Sequence, residues 1–438
     1  MIIKFEVENY LSFKDRTIFD LTAANIDKLF DNVYESDGAG FLKSVILYGA
    51  NASGKSNLFR AMLFLTDLIK YSQRLLDNDS EIPRIPYLLD EGYNKKPTYM
   101  SITVLCEDDT IYEYHLTFDI YHIIEEELNR YNDEKEAYEQ VFKRDDNISY
   151  DAFDDGESKE IFIELMKNFL RKNSLLLSVL YSSNVKNKDV MQFVQEINGH
   201  QYLRIQSDFR NGLRMGEYIE NIDFYHMDDI ARRLVSKKKS GDNAYLDKIN
   251  CIIKAVDVDI EEIYAKEVKN IGDEDSIQMR LFSKHRAINA EGEEQMLICN
   301  VNEFESKGTK EIIRFALDYV DAIDHSGVII FDGMDISLHP LLAQMVIKLI
   351  NSEKLNRKGQ LIFSSHDISL IDDYTNLFRC DQIYFCEKID GSSEIYSLFD
   401  IKGANQKAEN FGRNYIRGKY KAIPLIADIA VILKKLSD

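Results

Sequence analysis

Apolar and polar residues alternate with a period of two along residues 1–20, as they do in half-buried antiparallel strands. Two similar runs within 99–120 flank the tetrapeptide Glu107–Thr110, which predicts a β-hairpin. The alternation returns at 276–283 and 295–301. All of these segments are predicted to be strands.

Three short runs, 44–48, 328–331 and 361–363, are almost entirely apolar, which is typical of strands buried on both faces. Helical periodicity is found at 57–70, 310–322 and 340–351, and it dominates 160–270. Short apolar strands that alternate with helices indicate an α/β fold whose sheet is at least partly parallel.

The chain has 438 residues, enough for two or three domains or for one large domain with insertions. Apolar residues make up 45% and charged residues 29%, which excludes disordered, collagen-like and disulfide-scaffold proteins. The formal net charge is −21, so non-specific coating of nucleic acid is disfavoured and any such contact needs a local basic patch. One cluster is available: Arg232, Arg233, Lys237, Lys238 and Lys239. We interpret it as a solvated helix end or loop, with a nucleic-acid patch as the alternative.

The cysteines are odd in number and scattered, without a CxxC pair: Cys106, Cys251, Cys299, Cys380 and Cys386. Reduced thiols therefore fit better than disulfides or a zinc site. Lys4 and Glu6 interrupt the apolar run that a signal peptide would need, and no uncharged apolar stretch reaches the roughly 18 residues of a membrane span. We expect a cytoplasmic protein without membrane spans.

Candidate chemistry begins at Gly49-Ala50-Asn51-Ala52-Ser53-Gly54-Lys55-Ser56, which matches GxxxxGK[ST] between a buried strand and a helix. The glycines let backbone N–H groups turn toward a phosphate chain at the positive end of the helix. Lys55 supplies a point charge for the outer phosphates, and the Ser56 hydroxyl is placed to ligate Mg²⁺. We predict that Gly49, Asn51, Ser53 and Gly54 also bind the nucleotide.

Three further elements follow along the chain. Asp332 ends the apolar strand at 328–331, where its carboxylate can hold Mg²⁺ beside the phosphate loop. Ser306 and Gly308 open the helix at 310–322 and form a second anion-binding end. One nucleotide does not need two such ends from one subunit. His366, after the strand at 361–363, can reach a γ-phosphate or orient water.

In this order and spacing, the four elements resemble the ABC-type ATPase heads of SMC, RecF and the overcoming-lysogenization-defect (OLD) family. Gly49–Ser56 looks like Walker A, Ser306–Thr309 like the ABC signature, Asp332 like the Walker B acid, Ser337–His339 like the D-loop, and His366 like the switch histidine. Within that group the chain is similar to bacterial AAA-family ATPases of abortive-infection and phage-defence operons. That likeness spans nearly the whole chain and rests on further segments: Glu8–Phe13, Glu127-Leu128, Lys310, Pro340 and Tyr415–Pro424.

The resemblance implies an ABC-type P-loop ATPase head with mixed sheets, in which ATP and Mg²⁺ are the cofactors. It also implies that Ser306 and Gly308 act on the nucleotide of another subunit, so the chain is expected to form an ATP-bridged homodimer or a larger homo-oligomer. We expect the first lobe at 1–150, a mostly helical insertion at 151–270, and the second lobe with the C-terminal segment at 271–438.

One departure from the resemblance concerns hydrolysis. Family members usually carry Glu directly after the Walker B Asp as general base, and here the residue is Gly333. Losing a general base typically costs about 10²–10⁴-fold in rate. Asp335 and His366 are the candidate catalytic residues that remain, but Asp335 is shorter and shifted by two positions. We therefore expect slow hydrolysis, which suits a clamp or sensor better than a motor.

No nuclease site is predicted in the chain. OLD-family nucleases append a TOPRIM domain, and the 72 residues after His366 are too few for one; the pair Asp372-Asp373 is interpreted as a helix cap or solvated turn. By resemblance to two-component systems of the PARIS type, a separate effector such as a nuclease is the expected partner. A RecF-like DNA-repair ATPase and a purely structural oligomer with ATP as a folding cofactor are the alternatives.

Overall fold

The computed structural model describes residues 1–74, 80–146, 148–149, 156–183, 187–203, 205, 227–256, 259–270, 273–372, 374–402 and 410–424. The strands in these ranges are β1 (Ile2–Glu8), β2 (Thr17–Asp20), β3 (Val33–Ser36), β4 (Ala39–Leu42), β5 (Ser44–Tyr48), β6 (Thr98–Leu105), β7 (Ile111–Phe118), β8 (Ile123–Asn132), β9 (Ala137–Arg144), β10 (Ile148–Ser149), β11 (His200–Leu203), β12 (Ile260–Asn270), β13 (Asp273–Ile288), β14 (Glu294–Asn300), β15 (Val328–Phe331), β16 (Gln360–Ser364), β17 (Ile383–Ile389) and β18 (Ser392–Ser397). The helices are α1 (Lys55–Tyr71), α2 (Gly156–Phe169), α3 (Leu176–Ser182), α4 (Lys188–Asn198), α5 (Met227–Lys239), α6 (Asn243–Val256), α7 (Val301–Phe304), α8 (Lys307–Asp324), α9 (Met334–Ser337), α10 (Pro340–Asn351) and α11 (Phe411–Ile416).

A central sheet has six strands in the order β11-β15-β16-β5-β17-β18. Neighbouring strands are parallel except β17 and β18, which are antiparallel. The predicted α/β class with mixed sheets is confirmed. Register pairs Phe331 with Phe363, and Ser364 with Leu47, so the carboxyl ends of β15, β16 and β5 lie side by side.

The apolar run of β5 is explained by its position between two cores. Val45 and Leu47 belong to one hydrophobic cluster, and Ile46 and Tyr48 belong to the other. Because successive side chains of a strand point to opposite faces, a strand covered on both sides must be apolar at every position.

One of these cores is shared with a second, antiparallel sheet in the order β10-β9-β8-β7-β6-β1-β2. The predicted strands at 1–20 and the hairpin at 99–120 are confirmed as parts of it. Strands β8 and β9 were not predicted, although Leu128 and Phe142 are buried in the same core.

The segment predicted as a mostly helical insertion contains helices α2 to α6, but the helical prediction is wrong for two stretches. β11 pairs in parallel with β15 and so extends the central sheet. β12 pairs with β13 in a third sheet, of order β12-β13-β14. Buried Ile260 and Ile263 join the core that also holds residues of α5 and α6, and this tertiary pairing decides for strand over helix. None of the described helices is long and apolar enough to cross a membrane.

Candidate functional site

The loop Gly49–Ser56 joins β5 to α1 at the carboxyl end of the central sheet. Gly54 has a φ of +119°, and a Cβ added there would lie 2.2 Å from Ser393 Oγ. A Cβ added at Gly49 would lie 2.3 Å from the carbonyl oxygen of Cys386. Both glycines are therefore required by close packing against β17 and β18, and Gly54 also by its backbone conformation.

Lys55 is buried at the start of α1, where its Nζ donates to the carbonyl oxygens of Gly49 (2.8 Å) and Ala50 (3.1 Å). Burial lowers the pKa of Lys55, and the charges of Asp332 and Asp335 oppose that shift. The ammonium group thus lies inside the loop with acceptors that an anion can replace.

Unsatisfied polar groups surround this ammonium. The hydroxyl of Ser53 is buried and has no hydrogen-bond partner within the described ranges. The N–H groups of the first turn of α1 have no acceptor inside the helix, because a helix leaves its first N–H groups free. Asn51 and Ser56 are exposed on the open side of the loop. These donors fit a phosphate chain.

Asp332 follows β15 directly and accepts a hydrogen bond from Ser364 Oγ at 2.6 Å. The same Ser364 oxygen accepts from the N–H of Gly333 at 2.7 Å, so it bridges the ends of β15 and β16. Ser364 was not among the predicted site residues. A hydroxyl at the last position of a buried strand, directly before the motif of His366, was the available signal.

His366 and Asp335 lie beside this bridge. The backbone N–H of His366 donates to Asp335 Oδ1 at 3.1 Å. Burial lowers the pKa of His366, the charge of Lys55 lowers it further, and those of Asp335 and Asp332 raise it. On balance the pKa of His366 is lowered, which favours the neutral imidazole. The structure brings Lys55, Asp332, Asp335 and His366 within electrostatic reach of one another, and we call this group the candidate site.

Gly333 gives the candidate site no carboxylate at the position directly after Asp332. Its φ of +67° is left-handed, and a Cβ added there would lie 2.8 Å from Cδ1 of Ile336. Asp335, on the first turn of α9, is the next acid along the chain after Gly333, and one of its oxygens is engaged by the His366 N–H.

The second predicted anion site lies on a different helix, α8. Ser306 caps α8, and its Oγ accepts from the N–H of Thr309 at 3.1 Å. Ser306 and Gly308 are exposed, and no hydrogen bond between described residues joins either one to the loop. Glu305, just before them, accepts from Ser283 Oγ (2.5 Å) and lies 2.7 Å from His285 Nε2 of β13.

Segments far apart along the chain support the loop. Ser393 Oγ donates to the Ser53 carbonyl at 2.6 Å and lies 2.7 Å from Ser12 Oγ, which also accepts from Asn57 Nδ2. Near the other end of the chain, the Tyr415 ring lies 5.5 Å from that of Tyr48. The segments Glu8–Phe13 and Tyr415–Pro424, singled out in the sequence, thus each place a residue against the loop or its strand.

The remaining sequence candidates are the basic cluster, the D-loop-like segment and the pair Asp372-Asp373. Cations of the basic cluster on α5 pair with acids: Arg232 with Asp229, Arg233 with Asp321, Lys237 with Asp242, and Lys239 with Glu267. This pairing fits the solvated helix end. His339 of the D-loop-like segment caps α10 and is exposed. Asp372 follows a short 3₁₀ turn, and Asp373 lies outside the described residues.

Comparisons with known proteins place the site in context. A family model described as "AAA domain, putative AbiEii toxin, Type IV TA system" matches residues 44–372, about three quarters of the chain. No curated protein matches the chain.

Solved structures with similarity include an Smc head domain with an extended coiled coil bound to the C-terminal domain of ScpA, derived from Pyrococcus furiosus. It matches at 15% identity and a TM-score of 0.43, covering 90% of this chain and 96% of the other. The SMC head domain from Thermotoga maritima matches at 12% identity and a TM-score of 0.36, covering 90% of this chain and 98% of the other. An Smc head domain with a coiled coil and joint from Pyrococcus yayanosii matches at 12% identity and a TM-score of 0.42, covering 90% and 96%. These likenesses are weak.

Proposed function

The chain belongs to the family of AAA domains described as putative AbiEii toxins of type IV toxin–antitoxin systems, and on that premise we propose that it is an ATP-dependent switch that controls a separate effector. Family membership implies nucleotide binding. The finer proposal has four parts: ATP with Mg²⁺ as ligand, closure of two copies around it, slow hydrolysis, and control of a partner protein in antiphage defence.

The polar and charged groups of the candidate site fit ATP and Mg²⁺. The partnerless Ser53 hydroxyl, the free N–H groups of α1 and the Lys55 ammonium supply donors and charge for the phosphates. Ser56 and Asp332 would hold Mg²⁺, with Ser364 fixing the Asp332 carboxylate. When bound, the metal would neutralise phosphate charge and orient the terminal phosphoryl group.

The exposure of the second predicted anion site supports a composite site formed by two copies. Ser306 and Gly308 are exposed at the N-terminus of α8, the end of a helix that favours negative charge. If they act on a nucleotide held by the Lys55 of another copy, two such contacts related by a two-fold axis close a dimer. ATP then stabilises the closed state because it contacts both copies.

The proposed switch depends on slow turnover of ATP. The observation that carries this part is that the candidate site contains Lys55, Asp332 and His366 but has Gly333 where a carboxylate is expected. Asp335 remains the alternative base, although its bond to the His366 N–H draws one oxygen away from water. If ATP is hydrolysed slowly, the closed state of the two copies persists, and it can then retain or release a partner protein.

A RecF-like role in DNA repair is less well supported. The net charge is −21, and four of the five cations of the cluster on α5 already pair with acids. A phosphate backbone would have to displace these carboxylates.

Complementation between variants tests the composite site. Lys55→Ala should abolish ATP-dependent dimers by removing binding, and Ser306→Arg should abolish them by blocking the contact in the second copy. A mixture of the two should recover the ATP-dependent increase in assembly that sedimentation velocity detects with ATP and Mg²⁺, since each mixed pair keeps one intact site. Failure of the mixture, with ATP binding retained by Ser306→Arg, would refute the trans contact.

Control of an effector is tested by co-purification. The tagged chain, expressed with its untagged genomic neighbour, should retain that neighbour in one nucleotide state and lose it in the other. Lys55→Ala serves as the matched nucleotide-free control. Equal retention by wild type and Lys55→Ala, with and without ATP, would contradict nucleotide control.

A further inference from the structure

The outer edge of β14 differs from the other sheet edges. Met296, Leu297 and Ile298 are consecutive apolar residues that are 54%, 42% and 51% exposed. Consecutive residues of a strand face opposite sides, so both faces of the strand are uncovered in the described part of the chain. No described strand pairs with the outer edge of β14, which is the end strand of its sheet.

Other edges of the three larger sheets carry features that prevent strand addition. β10, β2 and β11 have two to four residues each, and β18 is largely polar. β12, at the opposite edge of the same sheet, carries several charged residues. By contrast, β14 has seven residues, pairs with β13 without a bulge, and contains neither lysine nor proline. Proteins usually protect an edge of this kind by pairing or covering it.

We propose that β14 pairs with β14 of a second copy of this chain, antiparallel and centred on Leu297, to form one continuous six-stranded sheet. The proposal does not rest on the proposed function, because it requires neither nucleotide nor the composite site.

The sequence of β14 favours this register. Opposed residues in an antiparallel pair lie on the same face of the sheet. A two-fold axis that relates the two strands must therefore lie midway between one residue and its own copy. With the axis at Leu297, Met296 meets Ile298 of the second copy, Gln295 meets Cys299, and Glu294 meets Asn300. Every exposed apolar residue of the strand then has an apolar partner, and no acid opposes an acid. Centring on Glu294 would instead place two carboxylates opposite each other.

Neighbouring residues add apolar surface on both faces. On the face of Leu297, its cross-strand neighbour His285 lies against Phe304, at 5.1 Å between ring centroids, and Phe304 is 57% exposed. On the face of Met296 lies Ile288, which is 73% exposed. The strand leads through α7 to Ser306, so the proposed contact lies close along the chain to the signature-like segment but is distinct from it.

Two matched variants test the surface by sedimentation velocity without nucleotide. The wild type should form concentration-dependent dimers. Ile298→Lys should raise the dimer dissociation constant by about tenfold or more, because the ammonium faces an apolar partner. Ile18→Lys changes an equally exposed isoleucine (51%) on the edge strand β2 and should leave the constant unchanged. A wild type that stays monomeric, or equal effects of the two variants, would overturn the proposal.

Crosslinking tests the register even if the lysine variant fails to fold. In a Cys251→Ser background, which removes the exposed thiol, Leu297→Cys should form a disulfide-linked dimer under mild oxidation. Glu294→Cys is the control on the same strand, since it would lie about 20 Å from its own copy in this register. Equal or absent crosslinking of the two variants would show that the strands do not pair in this way.

Discussion

Replacement of Gly333 by glutamate tests why turnover should be slow. Gly333→Glu places a carboxylate directly after Asp332, where related ATPases are expected to carry their general base. A positioned general base contributes about 10²–10⁴-fold, so we expect the ATP turnover of this variant to rise by up to that range. ATP affinity should change little, because Gly333 lies outside the phosphate loop.

The structural cost of this change can be estimated from the backbone. Gly333 has a φ of +67°, and a residue with a side chain in this left-handed region costs roughly 1–2 kcal/mol. The added Cβ would lie 2.8 Å from Cδ1 of Ile336, but that side chain is 68% exposed and its tip can rotate away. The variant should therefore fold, with a small loss of stability.

Gly333→Ala is the matched control, since it carries the same backbone cost and the same Cβ without a carboxylate. Phosphate release is measured under saturating ATP and Mg²⁺ for the wild type and both variants, with thermal unfolding recorded in parallel. Turnover should rise for glutamate only, while both variants lose similar stability. The reasoning fails if glutamate and alanine give the same rate while both still bind ATP.

Three further outcomes are expected. Gly54→Ala should cost about 2 kcal/mol or more in urea unfolding and abolish ATP binding, whereas Gly38→Ala, with φ of +81° and no atom within 4 Å of its Cβ, should cost only about 1–2 kcal/mol; equal costs would contradict the packing argument. Burial raises the pKa of Asp318 to about 7 from 3.8, so the folded chain holds a proton that the unfolded chain releases, and stability falls as pH rises between these values. Asp318→Asn should remove that fall, gaining about 1.4 kcal/mol per pH unit over wild type, and parallel urea profiles of the two proteins at pH 5 and 7 would contradict it. Ser364→Ala should weaken Mg²⁺-dependent ATP binding, measured by calorimetry, by freeing the Asp332 carboxylate; unchanged binding would show that the bridge is dispensable.

The strands and helices that were predicted correctly are those whose pattern reflects burial. β5, β15 and β16 are apolar at nearly every position because both faces are covered, and α10 matches its predicted range of 340–351. β12 was missed because its many charged residues hide the alternation, and its strand conformation depends on pairing with β13.

The candidate site also has one part that could be predicted from the sequence and another part that could not. The phosphate loop and the position of Asp332 could be predicted from local spacing, because the strand–loop–helix order and the acid at a strand end are visible in a short stretch of sequence. The roles of Ser364 and of the Asp335 contact to the His366 N–H could not be read, since each depends on which strand lies next to which. Strand order is a tertiary property.

Several residues that pack against the phosphate loop lie outside the part of the chain that the family model matches. The family match covers 44–372, which includes Lys55, Asp332 and His366. Ser12 and Ser393 lie beyond it on either side, yet Ser393 holds the Ser53 carbonyl and occupies the space that a side chain at Gly54 would need. A loop whose glycines are packed this closely keeps its anion-binding shape only while these neighbours stay in place. The matched span therefore contains the groups proposed to bind the phosphates, whereas Ser12 and Ser393, which pack around the loop, lie outside it.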